Sequence, residues 1–489
     1  MSESDIDNNQ YELVIGIELH AQLVTNSKIY SCEANTFGEA PNTLISPVTL
    51  AYPGTLPVLN KKVVSKALTL CLATNCQITK TNHFDRKNYF YADLPKGYQI
   101  TQYFTPMGTS GYVEYYLGDE TIKKVRINRI HIEEDTGKSM HDQLPTESLI
   151  DFNRAGVPLV EIVSEPDMSS AEEAGKYVAE MRKILRYLNV SEANMEEGNL
   201  RCDVNVSVRK KGSLALGNRT EIKNLNSISN LQTAINYEFK RQVQSLIDGR
   251  VIDKNTLGFD VITGQTFVLR TKEDSNDYRY FPEPDISPFV LSDEYIESVK
   301  NELPELPGQL VDYFCKVCKL SLREALIITE DKETVDYYIK LIKYTNNFKA
   351  AYNWLMGPIK SYLNKEAIAI NDFLLPPEKI AELINFVDTG KVNYSIAAST
   401  LFGALIHNPA GNVQITANEL KLIIDTDADT INTYIEDVLS KYPDKIKEYH
   451  NGKKNLIGLF MGEIMHLTKG RINPKEVSNI LIERLNSYK

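Results

Sequence analysis

The chain has 489 residues, 42% hydrophobic and 24% charged, with a formal net charge of −11. That length supports roughly two to four domains with separate cores, and the negative balance excludes broad, nonspecific adhesion to nucleic acid while leaving room for a local basic patch. With no run of about 18 apolar residues and an acidic, polar start at Met1–Asp7, we expect neither a membrane span nor a leader, and a cytoplasmic protein.

The first predicted element is a strand over Leu13–His20. Leu13, Ile15, Ile17 and Leu19 fall on one face, and Glu18 and His20 on the other. Cys32, Cys71, Cys76, Cys202, Cys315 and Cys318 are too scattered for a disulfide framework. Cys315 and Cys318 have the C-x-x-C spacing but lack a second pair or a flanking histidine, and read as ordinary thiols. Lys62–Cys76 is predicted to be a helix on a stripe of Val63, Val64, Ala67, Leu68 and Leu72. Asp85–Gln99 then packs cations, aromatics and a Pro/Gly turn together, a composition suited either to phosphates and a stacked base or to an aromatic hairpin covered by lysine stems.

The densest chemistry lies in Arg129–Lys138. As a strand it sets His131, Glu133 and Asp135 on one face and Ile130 and Ile132 on the other. Oxygen-rich ligands with an occasional imidazole and no thiolate cluster suit Mg²⁺ or Mn²⁺, ions that commonly arrive with phosphates. The competing reading is a surface strand whose charges are solvated or paired with Arg126 and Arg129. A capping box at Ser170–Glu173 opens a helix through Leu188, Arg201–Arg209 alternates as a strand with Arg201, Asp203 and Asn205 on its polar face, and another helix follows Asn226-Ser227. Glu221–Asn224 and Tyr278–Asp285 continue the polar-faced style. No GxxxxGK[ST], no strand-borne GxGxxG and no GxSxG is present, so any ATP would be held by side chains and metal on a sheet.

From Leu303 to about Leu405 the pattern turns helical, Asn408–Asn412 reads as a linker, and helices are expected at 417–424, 430–440, 453–467 and 474–485. From Lys441 onward eight Lys and two Arg face one Asp and four Glu, a net of +5 against −16 for the rest of the chain. The fold class is therefore α+β, with residues 1–292 as a sheet domain, 293–408 as a helical domain and 409–489 as a basic helical tail.

Several long motifs resemble the B subunits of tRNA-dependent amidotransferases. They are Ile15–Leu23, Tyr52–Asn60, Asp85–Gln102, His131–Lys138, Asp151–Asp167, Arg201–Asn205, Glu221–Ser227, Asp277–Asp285 and the tail from Asn451 to Leu485. The resemblance implies a glutamine-synthetase-like, antiparallel catalytic cradle followed by helical domains, the last of them tRNA-binding. It implies ATP-dependent amidation of glutamyl-tRNA(Gln), and of aspartyl-tRNA(Asn), through an acyl phosphate, with ammonia from an amidase-type A subunit and a small C subunit completing a heterotrimer. Carried over by residue, Glu18 and His20 are expected metal ligands together with one of Glu133 and Glu134, and Asp203 is a further catalytic candidate. Lys87, Tyr89, Tyr91 and Arg154 are expected to contact nucleotide or acyl phosphate. Two departures stand out. Ser31-Cys32-Glu33-Ala34 and Ser46–Thr49 replace the zinc-binding cysteines of many members, so no structural zinc is expected. Asn255 replaces a glutamate that could ligate metal, which leaves open a tRNA-binding scaffold with impaired catalysis.

Overall fold

The computed structural model describes residues 10–487 apart from 119, 141–145, 224, 272–277, 425–427, 469–471 and 473. Met1–Asp7, Asn224 and Asp277, which figured in the sequence reading, lie outside the described residues. The chain divides into two compact units near Leu310.

The strands of the first unit are β1 (Tyr11–Gln22), β2 (Gln77–Ile78), β3 (Thr81–Asn82), β4 (Asp85–Asn88), β5 (Tyr98–Thr101), β6 (Gly108–Tyr116), β7 (Ile122–Glu134), β8 (Lys138–Met140), β9 (Leu149–Asp151), β10 (Pro158–Ser164), β11 (Leu200–Lys210), β12 (Thr220–Ile222), β13 (Asn255–Asp260), β14 (Gln265–Thr271), β15 (Arg279–Pro282) and β16 (Phe289–Val290). Twelve of them form one sheet, in the order β14-β13-β12-β11-β1-β10-β7-β5-β4-β15, with β6 branching onto β7 and β2 onto β6. The described ladders are antiparallel except β12 beside β13. This antiparallel sheet followed by helices is the α+β class expected from the pattern.

Alternation decides the two faces. Ile15, Ile17, Leu19, Ile130, Ile132, Val204 and Val206 are all but fully buried, each burial worth about 1.5–3 kcal/mol. They pack beneath α1 (Lys61–Ala73), α2 (Ala171–Tyr187) and α3 (Ile228–Ile247) in one continuous core. The helix starts are fixed locally: Asn60, Ser170 and Ser227 accept hydrogen bonds from the backbone N–H groups of Lys62, Glu173 and Asn230. α1 stops three residues short of the expected Cys76, because Asn75 turns left-handed (φ 58°) and the Cys76 N–H closes back onto the carbonyl of Cys71.

The second unit is helical. Its C-terminal part packs helices 428–441, 457–467 and 474–487 around Ile431, Ile435, Phe460, Ile464, Val477 and Leu481. The helix expected at 417–424 is instead Val413–Glu419, since Asn412 caps it early and Lys421 turns left-handed (φ 56°). Pro443–His450 is a helix absent from the expectations, with proline at its first position. Among the described residues no helix is long and apolar enough to cross a membrane.

Candidate active site on the open sheet face

β1 runs between β10 and β11, and its register lines up the polar side chains. His20 stands opposite Glu161 on one side and Arg201 on the other; Glu18 stands opposite Val163 and Asp203. One strand further, Glu161 faces His131. The result is a quartet of two imidazoles and two carboxylates. His20 Nε2 lies 3.5 Å from Glu161 Oε2 and 3.7 Å from Glu133 Oε1, and His131 Nε2 lies 3.3 Å and 3.8 Å from the same two carboxylates. One ligand atom each from His20, Glu133 and Glu161 fall within 4.8 Å of one another, a mixed oxygen and imidazole set that fits a hard divalent cation.

Electrostatics in the quartet are tightly balanced. Burial by itself would depress the His20 imidazole, but the hydrogen bond and charge of Glu161, with Glu133 behind it, win and raise it to about 9. Burial would raise Glu161, yet His131 and His20 hold it well below the usual carboxylate range. Neither Glu133 nor Glu161 has a lysine or arginine within ion-pair distance among the described residues; the imidazoles are their neighbours.

The cluster lies in a cavity of about 270 Å³ that also presents Lys87, Arg129, Asp203, Lys223, Tyr103 and Tyr280. Tyr103 and Tyr280 stack with centroids 4.1 Å apart. Lys87 Nζ sits 4.8 Å from the Tyr278 ring centroid and makes no ion pair among the described residues, and Arg129 Nε is buried without a partner. Lys223 donates to Asp203 Oδ2 (2.7 Å) and approaches Glu221 Oε1 (3.0 Å); burial opposes its charge, but these two carboxylates raise its pKa.

The sequence-derived residues distribute unevenly. Glu18 lines this cavity beside the cluster but outside the close triple, held by Asn205 Nδ2 at 2.8 Å; burial first and Glu161 second push its carboxyl upward. Alternation puts Glu133 and Glu134 on opposite faces of the sheet. Glu133 is on the open face, whereas Glu134 points to the opposite face, where Lys96 Nζ and Ile100 N–H bind it. Asp203 lines the cavity but is tied to Lys223. Of the proposed nucleotide contacts, Lys87 lines the cavity and Tyr89 packs edge-on against Tyr278 behind it. Tyr91 does not line the cavity; it is 59% exposed and touches the edge of Tyr89. Arg154 does not line it either: it donates to the carbonyls of Thr136 and Gly137 and lies 3.6 Å from Asp135. Asp135, expected beside Glu133, is paired with Arg201 at 3.0 Å and accepts from Gln22.

Glu161, Arg129, Glu221, Tyr103 and Tyr280 were not named as site residues from the sequence, although Glu221 and Tyr280 lie in stretches marked there as polar-faced. Glu161 carried a usable signal, one carboxylate interrupting the apolar run Leu159–Val163, but its place opposite His20 depends on register. Asn255, on β13, is not among the cavity's lining residues, and its Oδ1 is buried without a hydrogen-bond partner.

Two family models match the chain, one over the sheet region that holds the cluster and one over the helical region. The GatB/GatE catalytic domain covers residues 13–297, and the GatB domain covers 336–485. The chain is 43% identical over 479 residues to the B subunit of the aspartyl/glutamyl-tRNA(Asn/Gln) amidotransferase of Caldicellulosiruptor bescii, covering 97% of this chain and 99% of that one. It is 44% identical over 476 residues to the corresponding protein of Thermodesulfovibrio yellowstonii, with 97% and 99% covered. These matches define an amidotransferase component of the carbon–nitrogen ligase type. The chain belongs to the family of aspartyl/glutamyl-tRNA(Asn/Gln) amidotransferase B subunits.

Proposed function

We propose that this chain is the amidating component of a cytoplasmic complex that converts glutamyl-tRNA(Gln) to glutaminyl-tRNA(Gln), and aspartyl-tRNA(Asn) to asparaginyl-tRNA(Asn). The observation that carries the reading is the His20–Glu133–Glu161 triple beside Lys87 and Arg129, two cations with no carboxylate partner among the described residues. A carboxylate is a poor electrophile, and Mg²⁺ with ATP supplies a phosphoryl group and spreads its charge when bound. In this reading His20, Glu133 and Glu161 hold the metal, and Lys87 and Arg129 face the phosphates. Lys223 keeps Asp203 and Glu221 charge-balanced next to Glu18. The side-chain carboxylate becomes an acyl phosphate, and ammonia displaces the phosphate.

The sequence has neither a glutaminase nucleophile motif nor a phosphate loop, which supports ammonia delivery by an amidase-type A subunit, with a small C subunit completing the heterotrimer. The basic tail, at +5, supports a separate hold on tRNA. Deleting residues 411–489 is expected to weaken tRNA binding, and unchanged binding would remove that role from the tail. The rival reading, an inactive tRNA scaffold, was suggested by Asn255. It draws less support from a side chain that does not line the cavity.

The test is nucleotide analysis of the assembled complex supplied with glutamyl-tRNA(Gln), MgATP and ammonium. ADP and phosphate formed in step with glutaminyl-tRNA support an acyl phosphate. AMP and pyrophosphate would mean adenylation, and no product from a complex that binds tRNA would favour the scaffold.

A further inference from the structure

Tyr103, whose ring stacks on Tyr280 in the wall of the metal-cluster cavity, is not on a strand. It lies with Phe104 and Thr105 in the connection between β5 and β6, where no strand ladder runs among the described residues. Another group must fix a ring that is 44% exposed. That group is Asp85. Its Oδ2 accepts the consecutive backbone N–H groups of Tyr103 (2.8 Å) and Phe104 (3.1 Å). Two charge-assisted bonds onto one carboxylate oxygen leave the backbone under the ring little freedom.

Asp85 differs from a carboxylate that merely fits the fold. Side chains alternate along a strand, so Asp85 and Lys87 of β4 share a face, and Lys87 lines the cavity opposite Tyr280 in the register. Asp85, by contrast, is wholly buried and does not line the cavity. Its Oδ1 makes no hydrogen bond, and among the described residues only His83 Nε2, at 3.6 Å, lies within ion-pair distance. Burying a carboxylate with so little compensation is costly. The segment is already tied to its neighbour by neutral groups, Gln102 Nε2 donating to Asn82 Oδ1 (3.0 Å) and the His83 N–H to Thr105 Oγ1 (3.0 Å). The anionic acceptor is placed where the ring is aimed.

We infer that Asp85 is a positioning residue for the amidation: by anchoring the Tyr103 and Phe104 amides it holds the Tyr103 ring against Tyr280 and keeps the cavity's aromatic wall in place for MgATP. The inference rests on the reading above that gives this cavity to MgATP. Asp85 touches no reacting atom and acts through Tyr103. Without it the two N–H groups lose their acceptor and must turn toward water, carrying the ring away from Tyr280. Because both bonds fall on one oxygen, the amide oxygen of asparagine would serve both N–H groups equally. The acceptor is therefore required and the charge is not.

The test uses the assembled complex and two readouts, binding of Mg²⁺ with a non-hydrolysable ATP analogue and hydrogen exchange of the peptide around Tyr103. Tyr103→Ala is expected to weaken analogue binding about tenfold, the order of one aromatic stacking contact. Asp85→Ala weakens it to a similar extent, and the double variant no further than Tyr103→Ala alone, since a residue acting through another adds nothing once that one is gone. Asp85→Asn stays within about twofold of wild type, as a replacement that keeps its hydrogen bonds should. In exchange, Asp85→Ala speeds the amides of 102–106 and leaves β1 and β7 protected, a pattern that general destabilisation would not give. Additive losses in the double variant, wild-type affinity in Asp85→Ala where Tyr103→Ala is weakened, or Asp85→Asn behaving as Asp85→Ala overturns the inference. So does exchange that is unchanged around Tyr103 or faster throughout the sheet. Wild-type affinity in Tyr103→Ala would instead remove MgATP from this wall, leaving Asp85 only the hold on the segment that exchange reports.

Discussion

Glu133 and Glu134 end the same strand, and their surroundings differ in one decisive respect. On the open face Glu133 and its neighbour Glu161 meet two imidazoles and, among the described residues, no ammonium or guanidinium partner. On the opposite face Glu134 is bound by Lys96 and by the backbone N–H of Ile100, in a buried region that also contains Lys28 and Tyr30. The inner group is ion-paired within the chain, and the outer pair of carboxylates has only imidazoles within ion-pair distance among the described residues. Acidity in a sequence therefore does not mark a site; acidity without a built-in cation does.

The largest effect separating the two groups is expected at Glu161. In the assembled complex Glu161→Gln should lower the amidation rate by about 10³-fold or more while tRNA binding persists. Initial rates and filter binding on the same preparations check this, and a rate within tenfold of wild type would take Glu161 out of the chemistry. Glu134→Gln should act on stability instead. Removing one member of a buried ion pair costs about 3–5 kcal/mol, read as a lower urea midpoint, and the folded fraction keeps its turnover number.

A smaller effect comes from Lys28 in the inner group. It is fully buried, donating to the Leu44 carbonyl at 2.6 Å, and burial lowers its pKa from 10.5 to about 8 against the pull of Glu33, Asp151 and Glu134. Between those values the folded protein binds fewer protons than the unfolded chain, so this group makes stability rise with pH, by up to about 3 kcal/mol. Unfolding curves from pH 8 to 10 should show the rise in wild type and lose it in Lys28→Met; parallel curves would refute it. The smallest effect is expected at Tyr91. Lying off the cavity and mostly exposed, it should tolerate Tyr91→Ala with less than a roughly twofold change in the KM for ATP.

Much of this was legible in the sequence. Period-two alternation put Ile15, Ile17 and Leu19 inside and Glu18 and His20 outside, and the same rule preferred Glu133 to Glu134. It could not give register. That Glu161 would stand between His20 and His131 depends on how β10 slots between β1 and β7, a tertiary fact with no local trace. Nor could pattern show which cations were already engaged: Arg154 and Lys87 look alike in sequence, yet one is committed to backbone carbonyls and the other is free to meet a ligand. Helix boundaries slipped for a similar reason, where left-handed turns at Asn75 and Lys421 ended helices that apolar periodicity would have prolonged.

The contrast between the two acidic groups is tested most directly by Mn²⁺ binding to the assembled complex, followed by electron paramagnetic resonance. The expected result is a tight site in the wild type, retained in folded Glu134→Gln and lost in His20→Ala. Equal binding in His20→Ala, or loss of the site in folded Glu134→Gln, would contradict the assignment of the open-face cluster as the cation site.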